Sequence, residues 1–212
     1  MGSSLLGRYC IVLALALCVP GLSLGADKAK LLVLGDSLSA EYGLKRGSGW
    51  VALLEQRLTQ EKIALQVVNA SISGDTTSGG RSRLPALLAL HQPRVVVIEL
   101  GANDALRGLP LEMSRDNLQA MTRAAQASGA KVLLLGMQMP PNYGQDYAQK
   151  FAQTYAQVAQ TNKAALVPFM LKGVADAPDA LRLFQNDRIH PTEEAHPTIL
   201  NNVWPTLKKM TP

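Results

Sequence analysis

The chain is poor in several residue types that would point to particular functions. It has 2 cysteines, 3 histidines and only 5% aromatic residues among 212 residues. Both cysteines, Cys10 and Cys18, fall in an N-terminal segment that we predict is removed. The mature chain would then have no disulfide and no thiolate chemistry. No cluster of cysteine, histidine or carboxylate residues has metal-ligand spacing, so we expect no metal.

Charge and hydropathy exclude further classes of function. Lys and Arg number 21 and Asp and Glu 16, a formal net charge of +5, and no run of five basic residues occurs. We therefore expect no nucleic-acid partner. The longest apolar run, residues 11–19, is shorter than the roughly 18 residues that a membrane-spanning helix needs.

The first 25 residues have the order of a secretory signal peptide. Arg8 gives a positive charge, residues 11–19 are apolar, Pro20 breaks the helix, and Ser23 and Gly25 are small residues before the cleavage point. Export to the periplasm is expected, or secretion if the cell is not Gram-negative. We expect no stable membrane anchor. Two alternatives stay open: a membrane anchor that is retained, and lipidation of Cys18, which the bulky residue before it disfavours.

The remaining chain, residues 26–212, is predicted to be one α/β domain. Short apolar runs at 31–34, 65–68, 94–100, 132–135 and 165–168 indicate buried strands. Helical patterns lie between them, at about 49–60, 84–90, 111–128 and 147–162, with a last helix at about 192–209. Buried strands that alternate with helices predict a parallel sheet of about five strands, covered on both faces as a three-layer α/β/α sandwich.

Ser37 is a candidate nucleophile. It lies in Gly35-Asp36-Ser37-Leu38-Ser39, directly after the first buried strand. The carboxyl ends of parallel strands are where such folds bind ligands. A serine at this point is also a common helix N-cap, so the motif alone decides nothing. It is not Gly-x-Ser-x-Gly, and the α/β-hydrolase elbow is not indicated.

A base and an orienting acid occur together near the C-terminus. Asp187 and His190 stand three residues apart before Pro191, close enough to pair within one loop. Histidine is the usual base for a serine hydroxyl, and a carboxylate holds its tautomer. Glu193 and His196 repeat the spacing, but inside the predicted last helix, where we expect only a surface pair. His91 is expected in a loop.

Oxyanion donors are expected from two other strand-end loops. Gly74 can bring a bare backbone N–H close to a ligand, and Asn103 can offer a side-chain amide. Each is also an ordinary turn residue when taken alone. The segment from Gly74 onward slightly resembles a phosphate-binding loop, but Gly80 and Arg81 occupy the places of its lysine and hydroxyl residue, which disfavours nucleotide hydrolysis.

Together these motifs resemble the four blocks of the SGNH (GDSL) hydrolase family, in order, over most of the chain after the leader. The resemblance is greatest to the periplasmic multifunctional thioesterase/protease/lysophospholipase group, which includes arylesterases. It implies a flavodoxin-like fold, no cofactor, a Ser37–His190–Asp187 triad, and an oxyanion hole of the Ser37 N–H, Gly74 and Asn103. It also implies substrate contacts at Asp36, Leu38, Ala105, Leu106, Arg107, Gly108, Pro140, Asn142, Tyr143 and Ile189.

The expected activity is hydrolysis of carboxylic esters and thioesters, including acyl-CoA and lysophospholipids, by a monomer. Two residues, Glu41 and Ala102, differ from the usual pattern of the group. Neither touches the four catalytic blocks, so we expect them to affect the loops rather than the catalytic chemistry. One alternative is an O-acetylesterase or acetyltransferase acting on carbohydrate or peptidoglycan with the same triad. The other is a noncatalytic binding protein on the same fold.

Overall fold

A computed structural model describes residues 28–211. The predicted signal peptide, residues 1–25, lies outside the described residues, so the leader and its cleavage point stay predictions. Across the described part of the chain, none of the helices is both long enough and apolar enough to cross a membrane.

A five-stranded parallel sheet forms the centre of the fold. Its strands are β1 (Ala29–Gly35), β2 (Leu65–Asn69), β3 (Val95–Glu99), β4 (Lys131–Leu135) and β5 (Ala165–Val167), in the order β2-β1-β3-β4-β5. All five residues of β3 are buried, as expected of a strand covered on both faces. The predicted parallel sheet is therefore confirmed, and this strand order is the flavodoxin-like one.

Helices cover both faces of the sheet. They are α1 (Trp50–Gln60), α2 (Thr77–His91), α3 (Ala102–Leu106), α4 (Leu111–Ala127), α5 (Gln145–Asn162) and α6 (His196–Lys208). Helix α1 packs against α6, whereas α4 packs against both α2 and α5. The crossover from β1 to β2 runs one way along the sheet, and the crossovers from β2 to β3, β3 to β4 and β4 to β5 run the other way. Because crossovers are right-handed, the two directions put these groups on opposite faces, which gives the predicted three layers.

Three local predictions were imprecise. Helix α2 begins at Thr77 rather than near residue 84, because Thr76 caps it by accepting the N–H of Gly79 at 3.3 Å. The short helix α3 stands where a loop was expected. The last helix begins at His196, after a 3-10 turn at Glu193–Ala195. Pro197 lies in its first turn, where a missing N–H costs little, and Pro205 lies inside it.

His196 is buried and is not part of a surface pair, so that expectation was wrong. Only 2% of the residue is exposed, and its Nδ1 accepts the backbone N–H of Trp50 at 2.9 Å. The helix starts at His196 itself, so the imidazole turns inward and satisfies the first N–H of α1. Burial lowers the pKa of His196 to about 4, against the opposing charges of Glu41 and Glu193.

The buried imidazole should make the fold sensitive to mild acid. In the unfolded state His196 takes up a proton near the usual pKa of 6.5, whereas in the folded state its pKa is about 4. Stability from this group is therefore lost as the pH falls through that window, by about 2 kcal/mol at pH 5. His196→Asn keeps an acceptor for Trp50 without the titration. Urea unfolding of both proteins at pH 7 and pH 5 should show a smaller acid loss for the variant, and equal losses would contradict this account.

Candidate active site

The carboxyl edge of the sheet gathers the polar residues expected there. Ser37 follows β1, which lies between β2 and β3, so the loops after all three strands are neighbours. The Ala70 N–H donates to the carbonyl of Val33, and the Ile72 N–H donates to that of Gly35. These bonds hold the loop that leads to Gly74 against the loop of Ser37, which we call the nucleophile loop after its candidate nucleophile.

Ser37, His190 and Asp187 form one continuous hydrogen-bonded chain. The Ser37 Oγ lies 2.9 Å from His190 Nε2, and His190 Nδ1 lies 2.6 Å from Asp187 Oδ2. The structure thus brings together all three residues of the expected triad. The other histidines lie elsewhere: His196 is buried against α1, and His91 ends α2 near the opposite edge of the sheet, where β3 begins.

The loop that carries the histidine orients Asp187 from its own backbone. Asp187 Oδ1 accepts the N–H groups of Ile189 and His190, both at 3.0 Å, while Oδ2 faces the imidazole. Burial alone would raise the pKa of Asp187. The hydrogen bonds from the His190 ring and the two backbone N–H groups outweigh it and lower the pKa to about 2. The carboxylate therefore stays charged at any pH where the imidazole could act as a base.

Gly74 and Asn103 lie on the loops that flank Ser37. Gly74 has φ +79°, a left-handed conformation that favours glycine, and its carbonyl accepts a hydrogen bond from Arg107 at 2.8 Å. The Asn103 Nδ2 donates to Asp36 Oδ2 and to the carbonyl of Asp75, each at 2.9 Å. Both amide hydrogens thus have acceptors, so donation to a substrate requires one bond to be shared.

A pair of buried carboxyl groups supports the nucleophile loop from below. Glu99 Oε2, at the end of β3, accepts the Ser39 hydroxyl at 2.8 Å and the Asp36 N–H at 3.2 Å. Burial, with the nearby charge of Asp36, raises the pKa of Glu99 well above its usual range. Burial also raises the pKa of Asp36 to about 6, against the N–H of Leu38 and a hydrogen bond from Glu99.

Sequence reasoning assigned no role to Glu99, because it is the last residue of an apolar strand and lies outside the four family blocks. One signal was available: a lone carboxylate at the carboxyl end of a buried strand is costly unless it has hydrogen-bond partners. The position of Glu99 also explains why residue 35 is a glycine. A Cβ on Gly35 would lie 2.8 Å from both Glu99 Oε2 and the Ser39 side chain. The glycine is required here by close approach and not by an unusual φ.

Asp104 explains why the segment after Gly74 is not a phosphate-binding loop. Its carboxylate accepts the backbone N–H of Thr77 at 2.9 Å, and also the hydroxyls of Thr77 and Ser114. A protein carboxylate thus occupies the N-terminus of α2, the place that a phosphate would take. Within residues 28–211, no cluster of three or more metal-ligating side chains occurs.

The expected substrate-contact residues differ in exposure. Asp36, Leu38 and Ala105 are buried. Leu106, Tyr143 and Ile189 are exposed by 39%, 40% and 48%. The other expected residues, Arg107, Gly108, Pro140 and Asn142, are also exposed. Ala102, the departure noted above, begins α3.

A serine, a histidine and an aspartate in this geometry, at the carboxyl edge of a parallel α/β sheet, define a hydrolase of the acyl-transfer type. Residues 33–197 match the GDSL-like Lipase/Acylhydrolase family. The chain belongs to this family, which confirms the predicted family and the predicted enzyme class, an acyl ester hydrolase.

Individual relatives agree with this assignment. The chain is 53% identical over 180 residues to Esterase TesA of Pseudomonas aeruginosa, a match that covers 85% of this chain and 88% of the relative. It is 43% identical over 169 residues to thioesterase 1/protease 1/lysophospholipase L1 of Escherichia coli, covering 80% and 78%. A crystal structure of the psychrotrophic esterase EstA from Pseudoalteromonas sp., inhibited by monoethylphosphonate, is similar with a TM-score of 0.80 and 40% identity, covering 86% and 98%.

Loss of the Asp187 charge should impair the reaction much more than the fold. Asp187→Asn keeps an oxygen for the N–H groups of Ile189 and His190, but it removes the charge that stabilises protonated His190. We expect kcat on p-nitrophenyl butyrate to fall by about 10³- to 10⁴-fold. Asp179→Asn, an exposed aspartate on the preceding segment, is the matched control. A kcat within tenfold of the unaltered enzyme would contradict the geometry described here.

Proposed function

We propose that Ser37 is the nucleophile of a two-step acyl transfer and that His190 is its base. His190 Nε2 accepts the Ser37 proton as Oγ attacks the carbonyl carbon of an ester or thioester. The alcohol or thiol leaves with a proton from His190, and an acyl-Ser37 intermediate remains. Water then attacks with the same assistance and releases the acid. The single observation that carries this proposal is the Ser37–His190–Asp187 hydrogen-bond chain.

The oxyanion would be held by the backbone N–H of Ser37, by Gly74 and by the Asn103 amide. Preorganised donors of this kind supply a large part of the rate of acyl transfer. Asn103 already points its amide toward the nucleophile loop through Asp36. A developing negative charge competes well for one of its two hydrogens, because a charged acceptor makes the stronger bond.

Apolar side chains around this site favour substrates with hydrocarbon groups. Among the described residues, seven large apolar side chains are exposed. Five lie in segments that follow the carboxyl ends of β1 to β4 or in the loop of His190: Tyr42, Ile72, Leu106, Tyr143 and Ile189. Apolar side chains that are exposed on the segments around a site are typical of a binding surface. Acyl esters, acyl thioesters such as acyl-CoA, and lysophospholipids fit it, and the names of the two relatives point to the same chemistry.

The proposal also covers the cell compartment of the enzyme and the form of its mature chain. The N-terminal pattern supports export to the periplasm, with residues 26–212 as one mature domain. The match of residues 33–197 to a single family agrees with one domain. We propose that the mature chain acts as a monomer on small-molecule substrates.

Removal of the Ser37 hydroxyl should abolish turnover and leave the fold unchanged. A fluorophosphonate probe should label the unaltered protein at Ser37 and should not label Ser37→Ala. Ser39→Ala would not serve as a control, since Ser39 bonds Glu99; Ser128→Ala, at the end of α4, is suitable. Labelling that persists in Ser37→Ala, or turnover that survives, would refute the assignment. Absence of labelling in the unaltered protein would favour a binding protein.

Truncation of the Asn103 amide should reduce kcat with a smaller effect on KM. The donor acts mainly on charge that develops in the transition state, so Asn103→Ala is expected to lower kcat by about 10²- to 10³-fold. Steady-state kinetics on p-nitrophenyl butyrate measure both constants. A raised KM with an unchanged kcat would mean that Asn103 only shapes the loop.

A further inference from the structure

One aromatic side chain outside the family motifs packs directly on the proposed base. The rings of Tyr42 and His190 have centroids 4.4 Å apart and an interplanar angle of 38°. Tyr42 is nevertheless 50% exposed. Part of its ring is therefore covered by the imidazole, and the rest stays open at the mouth of the site.

The direction of proton transfer tells which part of a substrate meets Tyr42. In acyl transfer the base returns its proton to the leaving group, so the leaving group must lie beside His190 Nε2. The carbonyl oxygen must instead face the donors at Gly74 and Asn103. A ring packed on His190 is therefore on the leaving-group side of the site.

We propose that Tyr42 is a specificity-determining residue that favours flat aromatic leaving groups, and that Glu41 is a positioning residue that holds it there. The inference rests on the proposed function, because it takes His190 as the group that protonates the leaving group. A planar ring can stack on the open part of Tyr42 or meet it edge-on, and a puckered alkyl ring of equal size cannot match either geometry.

Glu41 has a backbone conformation that is unfavourable for a residue with a side chain. Its φ is +59°, in the left-handed region. Its carboxylate accepts the N–H of Gly47 with both oxygens, at 3.0 and 3.1 Å, and the N–H of Gly49 at 2.8 Å. These hydrogen bonds offset the strain and close the loop of residues 41–49, in which Tyr42 lies.

Two further contacts attach this loop to the loop that carries His190. The Gln185 side-chain amide donates to the carbonyls of Tyr42 and Pro191, both at 3.0 Å. Glu193 Oε1 accepts the backbone N–H of Lys45 at 3.0 Å. Tyr42 is thus held at a fixed place relative to His190 by bonds on both sides, as a specificity residue requires.

A pair of esters that differ only in the flatness of the leaving group tests Tyr42. Benzyl butyrate and cyclohexylmethyl butyrate share their acyl group and release alcohols of similar size. In Tyr42→Leu, the benzyl-to-cyclohexylmethyl ratio of kcat/KM should fall by about two- to tenfold, the range that aromatic pairing supplies. Tyr42→Phe should keep the ratio. Leu90→Ala, at an exposed apolar site on α2, is the control for surface substitution and should also keep it.

A double-mutant cycle tests the role of Glu41. Glu41→Gly relieves the backbone strain but removes the acceptor for Gly47 and Gly49, so the ratio should fall in this variant as well. If Glu41 acts through Tyr42, adding Glu41→Gly to Tyr42→Leu should change the ratio no further. Should Glu41→Gly fail to fold by circular dichroism, Glu41→Asn completes the same cycle, because asparagine tolerates the left-handed backbone and its side chain is one carbon shorter.

The outcomes separate this inference from the proposed function. An unchanged ratio in Tyr42→Leu overturns the leaving-group role, and additive effects of the two substitutions overturn the role of Glu41. Either result leaves the nucleophile assignment untouched, since that assignment is tested by Ser37→Ala. Conversely, turnover retained in Ser37→Ala would remove the basis of both.

Discussion

The site depends on the hydrogen bonds that Glu99 makes beneath the nucleophile loop. This carboxyl group is fully buried at the end of β3, yet it accepts from both the Ser39 hydroxyl and the Asp36 N–H. The Trp50 indole then donates to Ser39 Oγ at 3.2 Å. A buried carboxyl group without such partners would be strongly destabilising. The network therefore fixes the backbone on both sides of Ser37 and connects the sheet to helix α1.

The same network extends to the proposed oxyanion donor. Asp36 is bonded to Leu38 through one oxygen and to Asn103 through the other. Burial raises the pKa of Glu99 well above its usual range and the pKa of Asp36 to about 6. Asp36 is the member of this pair that accepts the Asn103 amide and so orients it. The electrostatics of the site thus begin one layer below the residues that would touch a substrate.

Most of the fold and much of the site could be predicted from the sequence. Apolar runs such as residues 95–98 have few alternatives to a buried parallel strand, and the carboxyl ends of such strands meet at one edge of the sheet. That reasoning alone selects the loops of Ser37, Gly74 and Asn103. His196 was mispredicted because spacing cannot tell where a helix begins: a start at His196 itself turns its ring inward toward Trp50.

The residues that sequence reasoning missed have their roles through contacts distant in the chain. Glu99 and Ser39 are 60 residues apart, and Trp50 and His196 are 146 apart. Glu41 was noticed only as a departure, since nothing in its neighbourhood reveals a left-handed backbone or an acceptor for the N–H groups of Gly47 and Gly49. Pairings of this kind follow from the packed fold and not from local pattern.

Chemistry and selectivity are supported by different parts of the molecule. The proposed nucleophile and the proposed oxyanion donors are supported by strand ends and by a buried network, whose geometry can change little without a cost in packing. The apolar side chains around them lie on surface loops, which tolerate substitution more readily. Tyr42 stands between these two parts: its ring is at the surface, but it packs on His190 and its loop is bonded to the histidine loop. A change at this position should therefore alter which alcohol leaves faster, and a ratio of two esters measured on one variant cancels any effect that the change has on His190 itself.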